Sequence, residues 1–432
     1  MSLLARIRYG GFARQVVVLS SGTALGQLIL VAATPLLTRL YSPLEMGIFG
    51  LFSSFLGVAS VAVCWRLEMG IVSATSRTEA ARLLLLSVLV CIPTSVALGA
   101  LLAVMIDSDV MSFGLLPSWV VAAGCLALVA TGVFGALRYW HVGQQQFRVV
   151  SKATVAQAIG RVAASVGLGV AGLGWSGLLF GELLGRLLGI TRLWQRARNA
   201  VAAELRHGGR HRLRSSLSRA WQYPVVVLPS SLIDAAAAAL PLPVIATLFG
   251  APSAGLFALV WRVASVPSTL IGASVADVFH AHAVDAHVRG GPELRQLLLR
   301  TMRRLAVLAT GIYLPLCLLA PWAFGWAFGE QWRASGWLMA VLLPMWWTGA
   351  VVSPVSRLLI VVGRPALKLV FDLLYLVPPI AALYLLQGRG LPMAMLGYGL
   401  AASSAYLVFG ALLFRVASAE GLRPPSAVTS AS

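Results

Sequence analysis

From Val16 to Leu37 the chain runs through apolar and small polar residues without a single charge. A helix over this stretch, at about 1.5 Å per residue, is about 33 Å long and crosses a ~30 Å hydrocarbon core. A short polar turn follows, Thr38-Arg39-Leu40-Tyr41-Ser42-Pro43, and a second apolar run starts at Met46. The pattern predicts a transmembrane hairpin. Windows of about 19 residues extend the same reading to about twelve spans. They are 16–37, 46–64, 83–106, 115–137, 153–173, 175–194, 222–249, 253–275, 304–328, 336–361, 366–386 and 392–415. Glycine and proline interrupt several spans, which membrane helices tolerate where neighbours satisfy the freed backbone groups.

The polar stretches between spans divide by length. Two are long: an arginine-rich linker at 195–221, and a segment with histidines and arginines at 276–303. This predicts an amino-terminal lobe over 1–194, the basic linker 195–221, a second lobe over 222–416 and a disordered tail over 417–432. Ser76-Arg77-Thr78-Glu79 has the spacing of a capping box at the start of the third span. The first apolar run is too long for a signal-peptide core and lacks a convincing cleavage site, so it is expected to be retained.

The opening hairpin has an echo. Val16-Val17-Val18-Leu19-Ser20-Ser21 pairs with Val225-Val226-Val227-Leu228-Pro229-Ser230 at an offset of 209, which also pairs Thr38 with Thr247 and Pro43 with Pro252. After one dropped residue, Gly47-Ile48-Phe49-Gly50-Leu51 pairs with Gly255-Leu256-Phe257-Ala258-Leu259. Shared apolar bias produces part of such a match; the turn residues and the position after six spans argue for a repeat. Six spans per half is an even number, so the halves have the same orientation. The fold class expected is all-α polytopic membrane protein, with two parallel six-helix lobes around a central cavity.

Composition supports the membrane reading. The chain is 59% hydrophobic and 11% charged, against about 25% charged in soluble domains. Its net charge of +19 is spread between the hydrophobic runs, almost all as arginine. These residues read as topology determinants and contacts to anionic membrane lipids, which excludes a nucleic-acid surface. With the amino terminus inside, about 27 of the 33 basic residues fall on the cytoplasmic side. Only Arg39, Arg333 and Arg389 fall outside. One span more or fewer would scramble this alternation, so both termini are expected in the cytoplasm. The four cysteines, Cys64, Cys91, Cys125 and Cys317, stand singly in apolar runs and read as packing residues.

A charge at mid-membrane costs about 2.5–3.5 kcal/mol on insertion scales, so each needs a partner or a wet cavity. The candidates are Arg161 in span five, Glu182 and Arg186 in span six, Asp234 in span seven, Arg262 in span eight and Asp372 in span eleven. The arginines are candidate binders of an anionic head group, because guanidinium keeps its charge and offers a planar fork to phosphate oxygens. The carboxylates Asp234, Glu182 and Asp372 are candidates for H+ or Na+ coupling, since burial raises a carboxyl pKa toward working pH. Structural roles compete: Glu182 and Arg186 lie i,i+4 and can neutralise each other, and Arg262 and Asp372 lie near span ends and can snorkel. Thr23 and Gln27 in the first span line the cavity or bridge helices. His280, His282, Asp285 and His287 invite a metal reading, but the first two histidines lie about 200° apart on a helix; a solvated loop without metal is expected. No phosphate-loop, zinc-protease or nucleophile-elbow motif occurs, so no cofactor and no enzyme activity is expected.

Three passages resemble a known family. They are SSGTALGQLILVAATPLLTRLYSPLEMGIFGLF; Trp65-Arg66-Leu67-Glu68-Met69 with SRTEAARLLLLS; and AGLFALVWRVASVPSTLIGASVADVF running on to Gly363-Arg364-Pro365. The family is that of the O-antigen-type oligosaccharide flippases within the multidrug/oligosaccharidyl-lipid/polysaccharide (MOP) exporter superfamily. The resemblance implies two six-helix lobes around a cavity that opens alternately to each side. It implies a cargo of undecaprenyl-pyrophosphate-linked oligosaccharide, moved across the bacterial inner membrane, with a polysaccharide polymerase and a chain-length regulator as partners. The chain departs from the family pattern at Phe279-His280, where relatives tend to carry an aromatic residue and proline. A cation-coupled multidrug antiporter of the same superfamily, or a membrane polysaccharide polymerase or ligase, are the rival readings. An acidic or aromatic cavity would favour the antiporter, and a large outer loop would favour the enzyme. Reporter fusions are expected to place 195–221 in the cytoplasm and 329–335 outside; the opposite placement contradicts this topology.

Overall fold

The computed structural model describes residues 21–207, 220–289, 292–364 and 366–420. Arg6, Arg8, Arg14, residues 208–219 of the expected linker and residues 421–432 of the expected tail lie outside these residues. Among the described residues all regular structure is helical. That is what a bilayer demands, since backbone groups there find no water and must bond within their own segment. The first half holds α1 (Ser21–Leu40), α2 (Pro43–Ala62), α3 (Leu67–Ser73), α4 (Arg77–Asp107), α5 (Val120–Gly143), α6 (Phe147–Val170), α7 (Trp175–His207) and α8 (Tyr223–Phe249). The second holds α9 (Ala251–Arg289), α10 (Glu293–Phe328), α11 (Glu330–Val341), α12 (Leu343–Val361), α13 (Ala366–Leu386) and α14 (Leu391–Glu420).

Among the described residues nine helices are long and apolar enough to cross a membrane, or ten if α11 and α12, bent by 53°, form one broken span. The chain is a multi-pass, all-α membrane protein. The expected twelve also included spans six and eight, which correspond to α7 and α9. The first eighteen residues of α7 hold Glu182, Arg186 and Arg192, which lowers its apolar character. Helix α9, 39 residues long, contains the expected span 253–275, part of which lies outside the fully described residues on which the count of nine rests. Large apolar side chains such as Val170, Trp326 and Leu385 stand exposed on the surface, where lipid replaces water as the neighbour.

Two expected loops are helix over much of their described length. α7 runs through His207, because Leu193, Ala197 and Val201 keep a buried stripe at every fourth position. Residues 276–289 end α9 and residues 293–303 begin α10; Ala276, Phe279, Ala283 and Ala286 are buried along the end of α9. Charge at these positions marks the solvated side of a helix rather than a loop. The expected tail likewise begins as helix, with α14 continuing to Glu420.

The packing divides the chain into two compact units between Thr247 and Leu248. Almost all of α8 falls in the first unit, whereas residues 222–249 were expected in the second lobe. Helix α8 packs on α2: a Cβ built on Gly50 would lie 2.9 Å from Leu242, and one on Gly57 would lie 3.9 Å from the Ala239 side chain. In the first unit the α1–α2 turn is closed by a complete capping box, with Ser42 N donating to Glu45 at 2.8 Å and Glu45 N donating to Ser42 Oγ at 3.3 Å. Tyr41 in that turn donates its hydroxyl to the Ser165 carbonyl at 2.6 Å. Burial and the Glu45 carboxylate push its pKa to about 12, so it remains a donor at physiological pH. The Ser76 cap forms as expected, accepting from Glu79 N at 3.1 Å, while the Glu79 carboxylate reaches Thr75.

In the second unit, Tyr313 of α10 donates to the Ala264 carbonyl of α9 at 2.9 Å and meets Ser268 Oγ at 2.6 Å. Gly336 of α11 sits against the α10 backbone: a Cβ there would collide with Ala320 O and lie 2.8 Å from Pro321 Cα. These are backbone atoms, which cannot yield as a flexible side chain would. Gly336→Val is therefore expected to destabilise the protein by about 1–3 kcal/mol, read as a lowered Tm of the detergent-solubilised protein; an unchanged Tm would refute this packing.

Candidate functional site

Glycine sets a close approach of α6 and α7 in the first unit. Gly177, Gly181, Gly185 and Gly189 recur at every fourth position of α7 and so form one ridge along it. At Gly185 a Cβ would lie 2.8 Å from Gln157 O and 3.0 Å from Arg161 N, and at Gly181 it would lie 2.9 Å from Ser165 N. The ridge lets α7 lie almost backbone to backbone on α6, as small residues do in membrane helix pairs. Arg161 leaves α6 beside Gly181 and Gly185.

Its guanidinium crosses to α7. Arg161 Nη1 lies 2.7 Å from Glu182 Oε2, and Arg186 Nη2 lies 2.8 Å from Glu182 Oε1. One carboxylate therefore holds two guanidiniums. The Glu182 side chain is 8% exposed, Arg161 27% and Arg186 15%. Glu182 and Arg186 were expected to neutralise each other along one helix. The third member changes the arithmetic, leaving the triad with a net charge of +1. Arg186 Nη1 is buried with no hydrogen-bond partner, so a donor remains unsatisfied beside this charge. Such a group attracts an anion, and its donors match the oxygens of phosphate.

The other sequence candidates lie elsewhere. Thr23 and Gln27 are exposed on α1, and Asp234 is exposed on α8. Arg262, half-buried on α9, and Asp372 on α13 belong to the second unit. Asp372 is 2% exposed, and Lys368 Nζ contacts both its carboxylate oxygens at 3.0 Å. Snorkelling of Asp372 was one expectation; the structure instead buries it in an i,i+4 ion pair. Phe371 beside it stacks on Phe409 at 4.3 Å, and Tyr375 meets Tyr406 at 5.1 Å. Among the described residues no three His, Cys, Asp or Glu side chains form a metal-binding group. His282 lies on α9, its Nδ1 donating to the Val278 carbonyl at 2.8 Å.

Sequence reasoning missed the glycine ridge and Lys368. Both were visible as four-residue spacings, at 177/181/185/189 and at 368/372. The Arg161–Glu182 contact joins different helices and leaves no such spacing.

Comparison with solved structures places the fold. The lipid II flippase MurJ, in an inward closed conformation, matches with a TM-score of 0.67 at 11% identity, covering 93% of this chain and 87% of that one. An inward-facing multidrug resistance MATE family transporter of the MOP superfamily matches with a TM-score of 0.55 at 16% identity, covering 94% and 95%. A MOP superfamily transporter from Pyrococcus furiosus, described by the reversed polarity of its binding pocket, matches with a TM-score of 0.51 at 16% identity, covering 94% and 95%. The chain thus has the MATE/MurJ fold. No curated protein matches it by sequence. The model of a family described as polysaccharide biosynthesis protein matches residues 36–336. That match covers well over half of the chain, and the chain belongs to the polysaccharide biosynthesis protein family, with the fold of the MOP-superfamily transporters.

Proposed function

We infer that the protein is a flippase for undecaprenyl-pyrophosphate-linked oligosaccharide, moving it from the inner to the outer leaflet by alternating access. The observation that carries this reading is the net positive Arg161–Glu182–Arg186 triad inside a chain of the polysaccharide biosynthesis family. The lipid tail of such a cargo stays in hydrocarbon, while its diphosphate and sugars need a polar path. A fixed guanidinium pair offers the diphosphate a counter-charge, and Glu182 holds the two guanidiniums together against their mutual repulsion. The likeness to a lipid II flippase supports a lipid-linked cargo. A cation-exporting antiporter would need a negative or aromatic site, and this triad has the opposite sign.

The reading carries its partners and energetics as proposals. The protein acts as a transporter without chemistry of its own, in the inner membrane with both termini cytoplasmic. Arg262, Thr23 and Gln27 remain candidate cavity residues. Asp234, Glu182 and Asp372 are candidates for H+ or Na+ coupling, Asp372 through exchange of its Lys368 partner. A polymerase and a chain-length regulator would consume the flipped unit.

Deleting the gene is expected to abolish one surface polysaccharide and to accumulate its lipid-linked unit on the inner leaflet; intact polysaccharide in a strain without a paralogue contradicts the reading. Arg161→Gln leaves the Glu182–Arg186 pair neutral and the helix packing intact. It is expected to lower export about tenfold, the effect of ~1.4 kcal/mol, at unchanged protein level in a complementation assay. Glu182→Gln leaves two partly buried guanidiniums without their anion and is expected to destabilise the protein, by less than the ~3–5 kcal/mol of a fully buried pair, read as loss of folded protein in the membrane. Normal export in Arg161→Gln and Arg186→Gln together would remove the triad from the cargo path.

A further inference from the structure

The second unit holds a cavity of about 420 Å³ on whose wall Ser268 and Gly272 of α9 face Ser353, Ser356 and Arg357 of α12. That volume falls in the range of about 300–1,000 Å³ typical of small-molecule sites. Gly272 opens it: a Cβ there would meet only Pro354 Cγ, at 3.8 Å. None of the described lining residues is acidic, and Arg357 is the one cation among them. The wall is otherwise made of hydroxyls and small residues.

The hydroxyls are not equivalent. Tyr313 has one proton and donates it to the Ala264 carbonyl at 2.9 Å, so Ser268 must donate its own proton to the Tyr313 oxygen at 2.6 Å. Ser268 Oγ therefore has only its lone pairs left for a further partner, which suits a ligand hydroxyl. Arg357 supplies the complementary function, a planar fork for phosphate oxygens. Ser353 and Ser356 stand beside it, able to donate or accept. A wall that combines serine hydroxyls with one guanidinium fits a molecule that carries both hydroxyls and phosphate.

Position adds a second argument. On the orientation inferred from the arginine count, α9 and α12 both run toward the cytoplasm; Gly272, Ser353 and Arg357 lie in their inner halves, and Ser268 lies at the middle of α9. We propose that the cavity between Ser268 and Arg357 is a cytoplasm-facing receptor for a sugar-phosphate head group, the loading site for the cargo. This rests on the flippase reading and assigns it a site in the second unit, separate from the triad on α6 and α7. The same chemistry could come from a bilayer phospholipid head group, and the test separates the two sources.

The test uses full-length protein carrying Ser353→Cys and a membrane-impermeant maleimide, in inside-out membrane vesicles and in nanodiscs. Labelling is expected from the cytoplasmic side, and glucose 1-phosphate is expected to slow it about tenfold, as for a ligand stabilised by ~1.4 kcal/mol. Arg357→Gln should remove that protection, Arg357→Lys should retain part of it, and Gly272→Leu, which has room beside Pro354, should slow labelling itself by filling the space. If Arg357→Gln fails to fold, Arg357→Lys and Gly272→Leu carry the same decision. Labelling unaffected by glucose 1-phosphate overturns the proposal, as does labelling only from the outer face or protection that survives Arg357→Gln. Protection by phosphatidylglycerol nanodiscs relative to phosphatidylcholine ones, with none by glucose 1-phosphate, assigns the cavity to bilayer lipid and also overturns it. Failure of the flippase reading shows separately, as intact surface polysaccharide in the deletion strain whatever the labelling result.

Discussion

Moving an ionised side chain from water into a low-dielectric interior costs several kcal/mol even after relaxation, and Arg161, Glu182 and Arg186 meet that cost jointly. The Glu182 carboxylate has two oxygens, and each accepts one guanidinium at 2.7–2.8 Å. A single pair would be neutral and inert toward ions. The second arginine leaves an excess positive charge that hydrocarbon cannot solvate, and that excess is the feature an anionic ligand relieves. Removing the carboxylate would be worse than removing either arginine, because two like charges would then face each other without a counter-ion.

The geometry behind the triad is a matter of volume. Arg161 and Glu182 stand on different helices, and a guanidinium spans the gap only because Gly181 and Gly185 let α7 approach α6 so closely. A side chain at either glycine would meet backbone atoms of α6 at 2.8–3.1 Å, forcing the helices apart. Fold and site therefore share one cause: the glycine ridge that packs the hairpin also aligns its charges. In the second unit, Gly336 permits close packing against the α10 backbone, while Gly272 leaves open space.

The sequence made much of this legible. The hydrophobic runs located the helices because a bilayer imposes both length and apolarity, and the Ser76 cap and the α1–α2 turn came from local chemistry alone. The arginine-rich ends of α7, α9 and α10 were expected as loops, since charge density masked a buried stripe such as Leu193, Ala197 and Val201. Residues 222–249 were assigned by repeat symmetry to the second lobe, whereas their packing on Gly50 and Gly57 is a tertiary fact with no local signature. At the site, Glu182–Arg186 and Lys368–Asp372 are contacts within one helix and could be read from spacing. The Arg161–Glu182 contact depends on the rotation of two helices about each other, which hydropathy does not report.

The central claim is that this chain carries a lipid-linked anionic sugar across the bilayer through a net positive path. The most direct test reconstitutes the purified protein in liposomes with a fluorescent undecaprenyl-diphosphate-linked oligosaccharide. A membrane-impermeant quencher then follows how fast the head group changes leaflets. The account predicts rapid exchange with the wild-type protein and slow exchange with Arg161→Gln. Exchange no faster than in protein-free liposomes, with a folded protein and a gradient of H+ or Na+ supplied, would contradict it.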